Sequence, residues 1–454
     1  MFHVKQFINY LSNLKIHELL FYVFLFLVPI QTRILYNPSS AYISWYFNNY
    51  LAFFVYASDL ILFVCFITWF WSGDWKQKPN RLFWLTLAFL GAILISLFHV
   101  KQENLAYYGL IKWVELLFLM FYVHSTFRQS YQFKLSAGVL FLASLMQSLI
   151  GLVQFHVQHG IGLAWLGEYI APAGTPGLAT IQFGSEKLIR AYGTFPHPNV
   201  YGAFLVLGLI LGLFLVSRGT SESRIKSGMT KILMTLGLIL ITWGIFVSFS
   251  RLAWVAAILA ILCYLVYYWR NERSTFNRLC LVILVSCATI GILGNQYLKA
   301  RALDSSSVSV SDRVYFDKLG VELIKQHPII GAGAGNYVPA LQILEPNLEP
   351  WQYQPAHNIF IFLGAELGLL GLAIFLAMLS VIFWSARKVP CETLSLSVIL
   401  LGLLFLLMGQ FDHYFVTIQQ GRLMLFVVLG LLASLPNLYK VKSEFARSES
   451  DEAI

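Results

Sequence analysis

Two residue types in this chain could together perform group transfer: a histidine able to accept a proton and arginines able to hold an anion. His357, in the run Pro355-Ala-His357-Asn358, stands directly before a long apolar stretch. A neutral imidazole there could take a proton near pH 7. A histidine at such a boundary more commonly does no more than hydrogen-bond, and its type and position leave both readings open. Arg313 lies in SVSVSDRVYFDKLGVELIKQHP. Asp312 is placed to cap a helix there and Pro328 to close it, which puts Arg313 in the first turn, where a helix end favours an anion. The helix body reads as amphipathic, lying along the membrane surface or over a cavity, or simply packing on other helices. Arg190, in RAYGTFPHPN, and Arg251, in SFSR, complete the set. A guanidinium matches phosphate oxygens and stays charged at any relevant pH, although a boundary arginine also snorkels to lipid headgroups.

Other motifs carry blander expectations. His197 sits between two prolines and reads as a turn brace. In Gly331-Ala-Gly333-Ala-Gly335-Asn336 the alternating glycines would admit a phosphate, but no strand precedes them, so a flexible turn is the preferred reading. Gly364 and Gly368 share a helical face after His357, a spacing that allows close helix packing and would hold the histidine on a rigid element. Lys112 and Glu115 lie one helical turn apart and should pair, because a lone charge in mid-membrane costs roughly 2.5–3.5 kcal/mol; a proton relay is the lesser reading. Asp59 and Glu366 also fall in or near apolar runs, and nothing in the sequence identifies their partners.

The elements that must position these residues are membrane helices. Of 454 residues 58% are hydrophobic and only 12% charged, far below the quarter expected of a water-facing globule. The net charge of +9 does not signal nucleic acid, because the cations do not form one aromatic-studded patch. Cys65, Cys263, Cys280, Cys287 and Cys391 lie within or beside apolar segments with no CxxC pair, so neither a disulfide framework nor a zinc site is supported. The first apolar run lacks a small-x-small cleavage site and reads as a retained helix.

The expected fold class is therefore an all-α polytopic membrane protein with about twelve transmembrane helices. They fall at 16–32, 51–71, 82–99, 105–124, 135–156, 199–217, 231–248, 252–269, 279–297, 357–385, 393–411 and 421–438, with Ser248-Phe249-Ser250-Arg251 as a tight hairpin. One set of alternating segments holds nineteen lysines and arginines, including Lys5, Lys15 and Arg218, and the other set eleven, seven of them in two long loops. Cytoplasmic connectors concentrate positive charge, so both termini should face the cytoplasm and the long connectors 157–198 and 298–356 should lie outside. The chain thus divides into nine helices over 1–297, an extracytoplasmic loop at 298–356, three helices over 357–438 and a cytoplasmic tail at 439–454. The short inner connectors leave no room for a nucleotide-binding domain, and no GxxxxGK[ST] loop is present.

Four segments, RAYGTFPHPNVYGAFL, FSRLAW, DRVYFDKLGVELIKQHPIIGAGAGNY and HNIFIFLGAELGLLGL, make the stretch from about 190 to 372 resemble the O-antigen ligase family. The resemblance implies metal-independent glycosyl transfer, without a cofactor, on the outer face of the bacterial inner membrane. The donor would be a glycan on undecaprenyl pyrophosphate and the acceptor a sugar hydroxyl of a glycan or glycolipid. It implies His357 as the catalytic base and Arg313 as the loop arginine, with Arg190 and Arg251 in the other arginine-bearing motifs as substrate-binding residues. This chemistry is compatible with the residues themselves: arginines neutralise a leaving pyrophosphate and a histidine deprotonates the attacking hydroxyl. No Asp-x-Asp pair is present. A polymerase of lipid-linked repeats is the nearest alternative. A lipid or glycan transporter would need functional midplane charges, for which Lys112 and Glu115 are the clear candidates.

Overall fold

A computed structural model describes residues 12–76, 78–168, 171, 175, 177–216, 224–303 and 308–451. Lys5 and Arg218, which enter the charge tally, and residues 452–454 of the expected tail lie outside these residues. The chain begins with α1 (Ile16–Leu27), then strands β1 (Arg33–Tyr36), β2 (Tyr42–Ile43), β3 (Tyr46–Phe47) and β4 (Phe53–Tyr56). Helices α2 (Ala57–Ser72), α3 (Arg81–Ser96), α4 (Glu103–Thr126) and α5 (Ser130–Val157) follow. The first long connector carries β5 (Thr180–Phe183) and β6 (Glu186–Ile189). Next come α6 (Pro198–Val216), α7 (Arg224–Val247), α8 (Arg251–Asn271) and α9 (Arg273–Leu293). The second long connector holds α10 (Asn295–Leu303), α11 (Val308–Gln326) and α12 (Tyr337–Leu344). The chain then runs through α13 (Ile359–Ala386), α14 (Thr393–Gly409), α15 (Tyr414–Thr417) and α16 (Gln419–Asp451).

Among the described residues eight helices are long and apolar enough to cross a membrane: α3, α4, α5, α6, α8, α9, α13 and the first part of α16. The other four expected spans coincide with shorter apolar helices, namely α1, α2, Lys231–Val247 within α7, and α14. Two of these stop short of their expected bounds. α1 ends at Leu27, just before Pro29, whose ring and missing N–H disfavour continuation. α2 starts at Ala57 because Phe53–Tyr56, aromatic and β-branched, pairs antiparallel with β1 instead. β2 and β3 form a second antiparallel ribbon nested within this one. The break between α7 and α8 is a true turn, with Phe249 in the left-handed region at φ 48°.

Helix α6 is the hub. Its apolar window is 89% buried, against 17% for α9, which faces outward. Close approach depends on small residues: a Cβ on Gly208 would lie 2.2 Å from Ser144 Oγ of α5.

Two local expectations need correction. Helix α11 starts at Val308, not after Asp312, so Asp312 is no cap and Arg313 lies beyond the first turn. Residues 308–311, Val-Ser-Val-Ser, extend the helix upstream, which removes the helix-end anion site from Arg313. Gly364 and Gly368 likewise do not form one continuous packing face. Gly368 is at φ 67° and ψ 178° and breaks α13. The freed backbone groups are taken up by the turn after α11: Leu369 N donates to Pro328 O at 2.8 Å, and Gly333 N to Glu366 O at 2.8 Å. Gly331, Gly333 and Gly335 are all at positive φ, and a Cβ on Gly331 would lie 2.4 Å from the Glu366 backbone. The glycine run is thus a turn, and it is closely packed rather than loose.

Candidate functional site

A cavity of about 580 Å³ opens among the connectors and the ends of α4, α6, α11, α13 and α16. One wall is built around His357. Asn358 caps α13, its Oδ1 accepting from Phe360 N at 2.9 Å, while its Nδ2 reaches Gln410 Oε1 at 3.1 Å. The Asp317 carboxylate of α11 accepts from the backbone N–H groups of His357 and Asn358, leaving its own Oδ1 without a partner. Burial raises the Asp317 pKa, partly offset by those two bonds and by Arg313. Phe316, one residue earlier, stacks on the His357 ring with centroids 5.8 Å apart. The amphipathic spacing of α11 therefore serves the cavity, with Arg313 and Phe316 lining it.

Opposite His357 stands a pair of residues that the sequence did not single out, Asp412 and His413. Asp412 Oδ2 accepts from Asn199 Nδ2 at 2.8 Å and lies 3.9 Å from Arg313 Nη2. The His413 ring meets that of His357 edge-on at 5.0 Å between centroids. His413 Nδ1 lies 2.7 Å from Thr417 Oγ1, and Nε2 lies 3.5 Å from the Tyr50 hydroxyl. His197 closes the cluster, its Nδ1 accepting from Asn199 N at 3.2 Å. It braces the start of α6 and also lines the cavity.

The electrostatics of the cluster keep its imidazoles neutral. Burial lowers the His357 pKa; Asp412 opposes it, Arg313 adds to it by less, and Asp312 opposes it least. His413 is pushed down to about 3 by burial and by His357, and His197 to about 4 by burial and by Arg190. Burial alone would raise Asp412, but His413, His357, Arg313 and His197 together hold it below the usual carboxylate value. The result is an ionised carboxylate and a guanidinium facing neutral imidazoles. His357 Nδ1 is buried with no hydrogen-bond partner, so this ring is fixed by stacking and by its backbone.

Of the expected site residues, His357 and Arg313 line the cavity and Arg190 and Arg251 do not. Arg190 is buried one layer behind: its Nε donates to Ser248 O at 2.7 Å and its Nη2 to Asn199 Oδ1 at 2.9 Å. Arg190 thereby holds Asn199, which in turn holds Asp412. Arg251 opens α8 at the surface, with Nη2 3.3 Å from Arg301 O. Asp412 and His413 occupy a short connector between two apolar helices. An acid beside a histidine there was the signal available in sequence. Among the described residues no group of three or more His, Cys, Asp or Glu side chains is arranged to hold a metal ion.

The expected Lys112–Glu115 pair is present at 3.3 Å, and it has a third member. Asp59 also pairs with Lys112 and accepts from Gln419 Nε2 at 2.6 Å, which supplies the partner that sequence left open. Glu366, beside the break in α13, faces the backbone N–H groups of Gly335 and Tyr337.

Fold and site together define a polytopic membrane protein with a polar cavity between its helix ends and long connectors. Residues 236–376 match the family model described as O-antigen ligase, a stretch that takes in Arg251, Arg313 and His357. The chain is also similar to a protein of Acinetobacter baylyi (strain ATCC 33305 / BD413 / ADP1) named general O-oligosaccharyltransferase, at 25% identity over 266 residues. That alignment spans 56% of this chain and 42% of the relative, so less than half of the relative's length is matched. The O-antigen ligase family is the one these findings support for this chain.

Proposed function

We propose that this chain moves a glycan from an undecaprenyl-pyrophosphate carrier to a sugar hydroxyl on the outer face of the inner membrane. In this reading twelve crossings place both termini in the cytoplasm, with connectors 157–198 and 298–356 outside. The observation that carries it is a neutral, stacked imidazole, His357, facing Asp412 and Arg313 across one cavity wall. The acceptor hydroxyl oxygen attacks the anomeric carbon of the donor as the bond from that carbon to pyrophosphate breaks. His357 takes the hydroxyl proton, Asp412 stabilises the imidazolium, and the carrier leaves as its pyrophosphate anion.

Arg313 is the cation placed to meet that anion, being one-third exposed and lining the cavity. Arg190 and Arg251 enter at one remove. Arg190 orients Asn199 and through it Asp412, and its charge is felt at His197 in the cavity wall, while Arg251 stands at the surface beside Arg301. Transfer to a hydroxyl is supported by the relative's name, an O-oligosaccharyltransferase.

Reconstitution with a lipid-linked oligosaccharide tests the reading. Wild-type protein should move the glycan onto the acceptor and release the pyrophosphate carrier. His357→Ala should lower turnover by about 10²–10⁴-fold with unchanged folding. Undiminished product from the variant would remove His357 from the mechanism.

A further inference from the structure

At the cavity mouth a cluster of aromatic rings stands outside the chemistry described so far. Trp45 is 68% exposed and Trp351 44% exposed, and their rings lie 6.1 Å apart. Tyr46 meets Trp45 edge-on at 5.8 Å, and both Tyr46 and Trp351 line the cavity. Asn49, Gln352 and Gln354 line the same cavity; Gln352 Oε1 accepts from Glu349 N at 2.9 Å and Gln354 Nε2 donates to Trp351 O at 2.7 Å, which leaves Gln352 Nε2 and Gln354 Oε1 to face a ligand.

The two segments that carry these rings are fastened to each other and to the site. Asn48 Nδ2 donates to Tyr353 O at 2.9 Å, which ties the β2–β3 ribbon to the turn at 350–354. Asn48 Oδ1 accepts from Tyr50 N at 2.9 Å, and the Tyr50 hydroxyl reaches His413. From Trp351 the chain arrives at His357 six residues later. The rings are therefore held at a fixed place relative to the proposed base.

We infer that Trp45, Tyr46 and Trp351 form a saccharide platform that seats the glycan as it enters the cavity; this rests on the glycan-transfer reading above. A sugar ring presents C–H faces that pack on the negative face of an aromatic ring, and hydroxyl edges that both donate and accept. Flat rings interleaved with carboxamides meet both requirements without any charge. Indoles that only anchor a chain at the bilayer surface need neither convergence on a cavity nor amide neighbours. The platform serves either the donor's glycan or the acceptor's, since both present the same chemistry.

Equilibrium binding tests this without turnover. The full chain in lipid nanodiscs is titrated with two fluorescently labelled probes: glycan released from the host's lipid-linked donor, and glycan from its cell-envelope acceptor. Trp45→Ala/Trp351→Ala should weaken binding of at least one probe by about tenfold or more, and the probe affected identifies which glycan uses the platform. Trp45→Phe/Trp351→Phe, which keeps flat rings, should restore most of the loss. Equal affinity in wild type and the double alanine variant, or no binding of either probe to wild type, overturns the platform. Transfer measured separately in the same preparations keeps the outcomes apart: a wild type that binds glycan but never transfers it leaves the platform standing and sinks the enzymatic reading.

Discussion

The same cavity is bordered by two charged clusters built on opposite plans. At Lys112 the charges are paired directly with one another, with Glu115 Oε1 left buried and without a partner. Its side chain is 5% exposed and sits between Asp59 and Glu115, while Asp59 also accepts from Gln419 and from Tyr56 N. Around His357 the charges are left unfinished. Arg313 stands 3.9 Å from Asp412, beyond a full hydrogen bond, and His357 Nδ1 has no partner. Buried charges paired directly with one another resist change and suit a scaffold, whereas a cation held off its anion beside a cavity has capacity left for a ligand. The Lys112 cluster therefore reads as the brace that fixes α4, α2 and α16 together, and the His357 cluster as the reactive site. A proton relay through Lys112 and Glu115 gains nothing from this arrangement.

Breaking the brace should give the largest effect on stability. Lys112→Met strands Asp59 and Glu115 in an apolar surrounding, and removing one partner of a buried ion network costs roughly 3–5 kcal/mol. Thermal unfolding in detergent should fall by many degrees and membrane yield should drop. Lys112→Met/Asp59→Asn/Glu115→Gln, which removes the stranded charges, should recover much of that loss. A single variant with unchanged unfolding temperature but no transfer would reverse the assignment and move the chemistry to Lys112.

The next largest effect belongs to the reactive site. Arg313→Gln should leave unfolding nearly unchanged, since the side chain is one-third exposed and its carboxylate partner keeps Asn199. Transfer, however, should lose about 10²-fold in kcat/KM for the lipid-linked donor, as when one preorganised donor to a developing anion is removed. Arg313→Lys should recover only part of it, because an ammonium lacks the planar fork. A variant defective only for the acceptor would place the pyrophosphate elsewhere, and Arg190 and Arg251 would then be tested in its stead.

What could be read in the sequence follows the same division. His357 stood out because a polar residue directly before a long apolar run is costly enough to need a reason, and Arg313 because a guanidinium in the first turn of an expected helix suits an anion, a premise the helix start at Val308 removes. The partner of Lys112 was half visible, since Glu115 is one turn away while Asp59 is 53 residues distant. Asp412 escaped notice because its partner Asn199 is 213 residues away and its own connector is too short to attract attention. The β1–β4 ribbon escaped for a different reason: Phe53-Phe-Val-Tyr56 is as apolar as the helix it precedes, so hydropathy merged the two. Gly368 was visible as a glycine, but its backbone conformation depends on the turn at 328–333 that packs against it.

The smallest effect is the most discriminating, because its sign can be fixed in advance. A base must be neutral, so kcat/KM falls as pH drops through the pKa of His357 in the free protein. Burial and Arg313 hold that pKa below its ordinary value, while Asp412 and Asp312 oppose them. Asp412→Asn removes a contribution that raises it, so the acid limb of the profile should move to lower pH, with a reduced plateau because the imidazolium loses its counter-charge. Arg313→Gln removes a contribution that lowers it, so its acid limb should move to higher pH. The two changes oppose each other, and the double variant should return towards the wild-type midpoint while keeping the low plateau. Shifts in the same direction for both single variants would mean that the titrating group is not flanked by one cation and one anion. His357, flanked by both, would then not be the base.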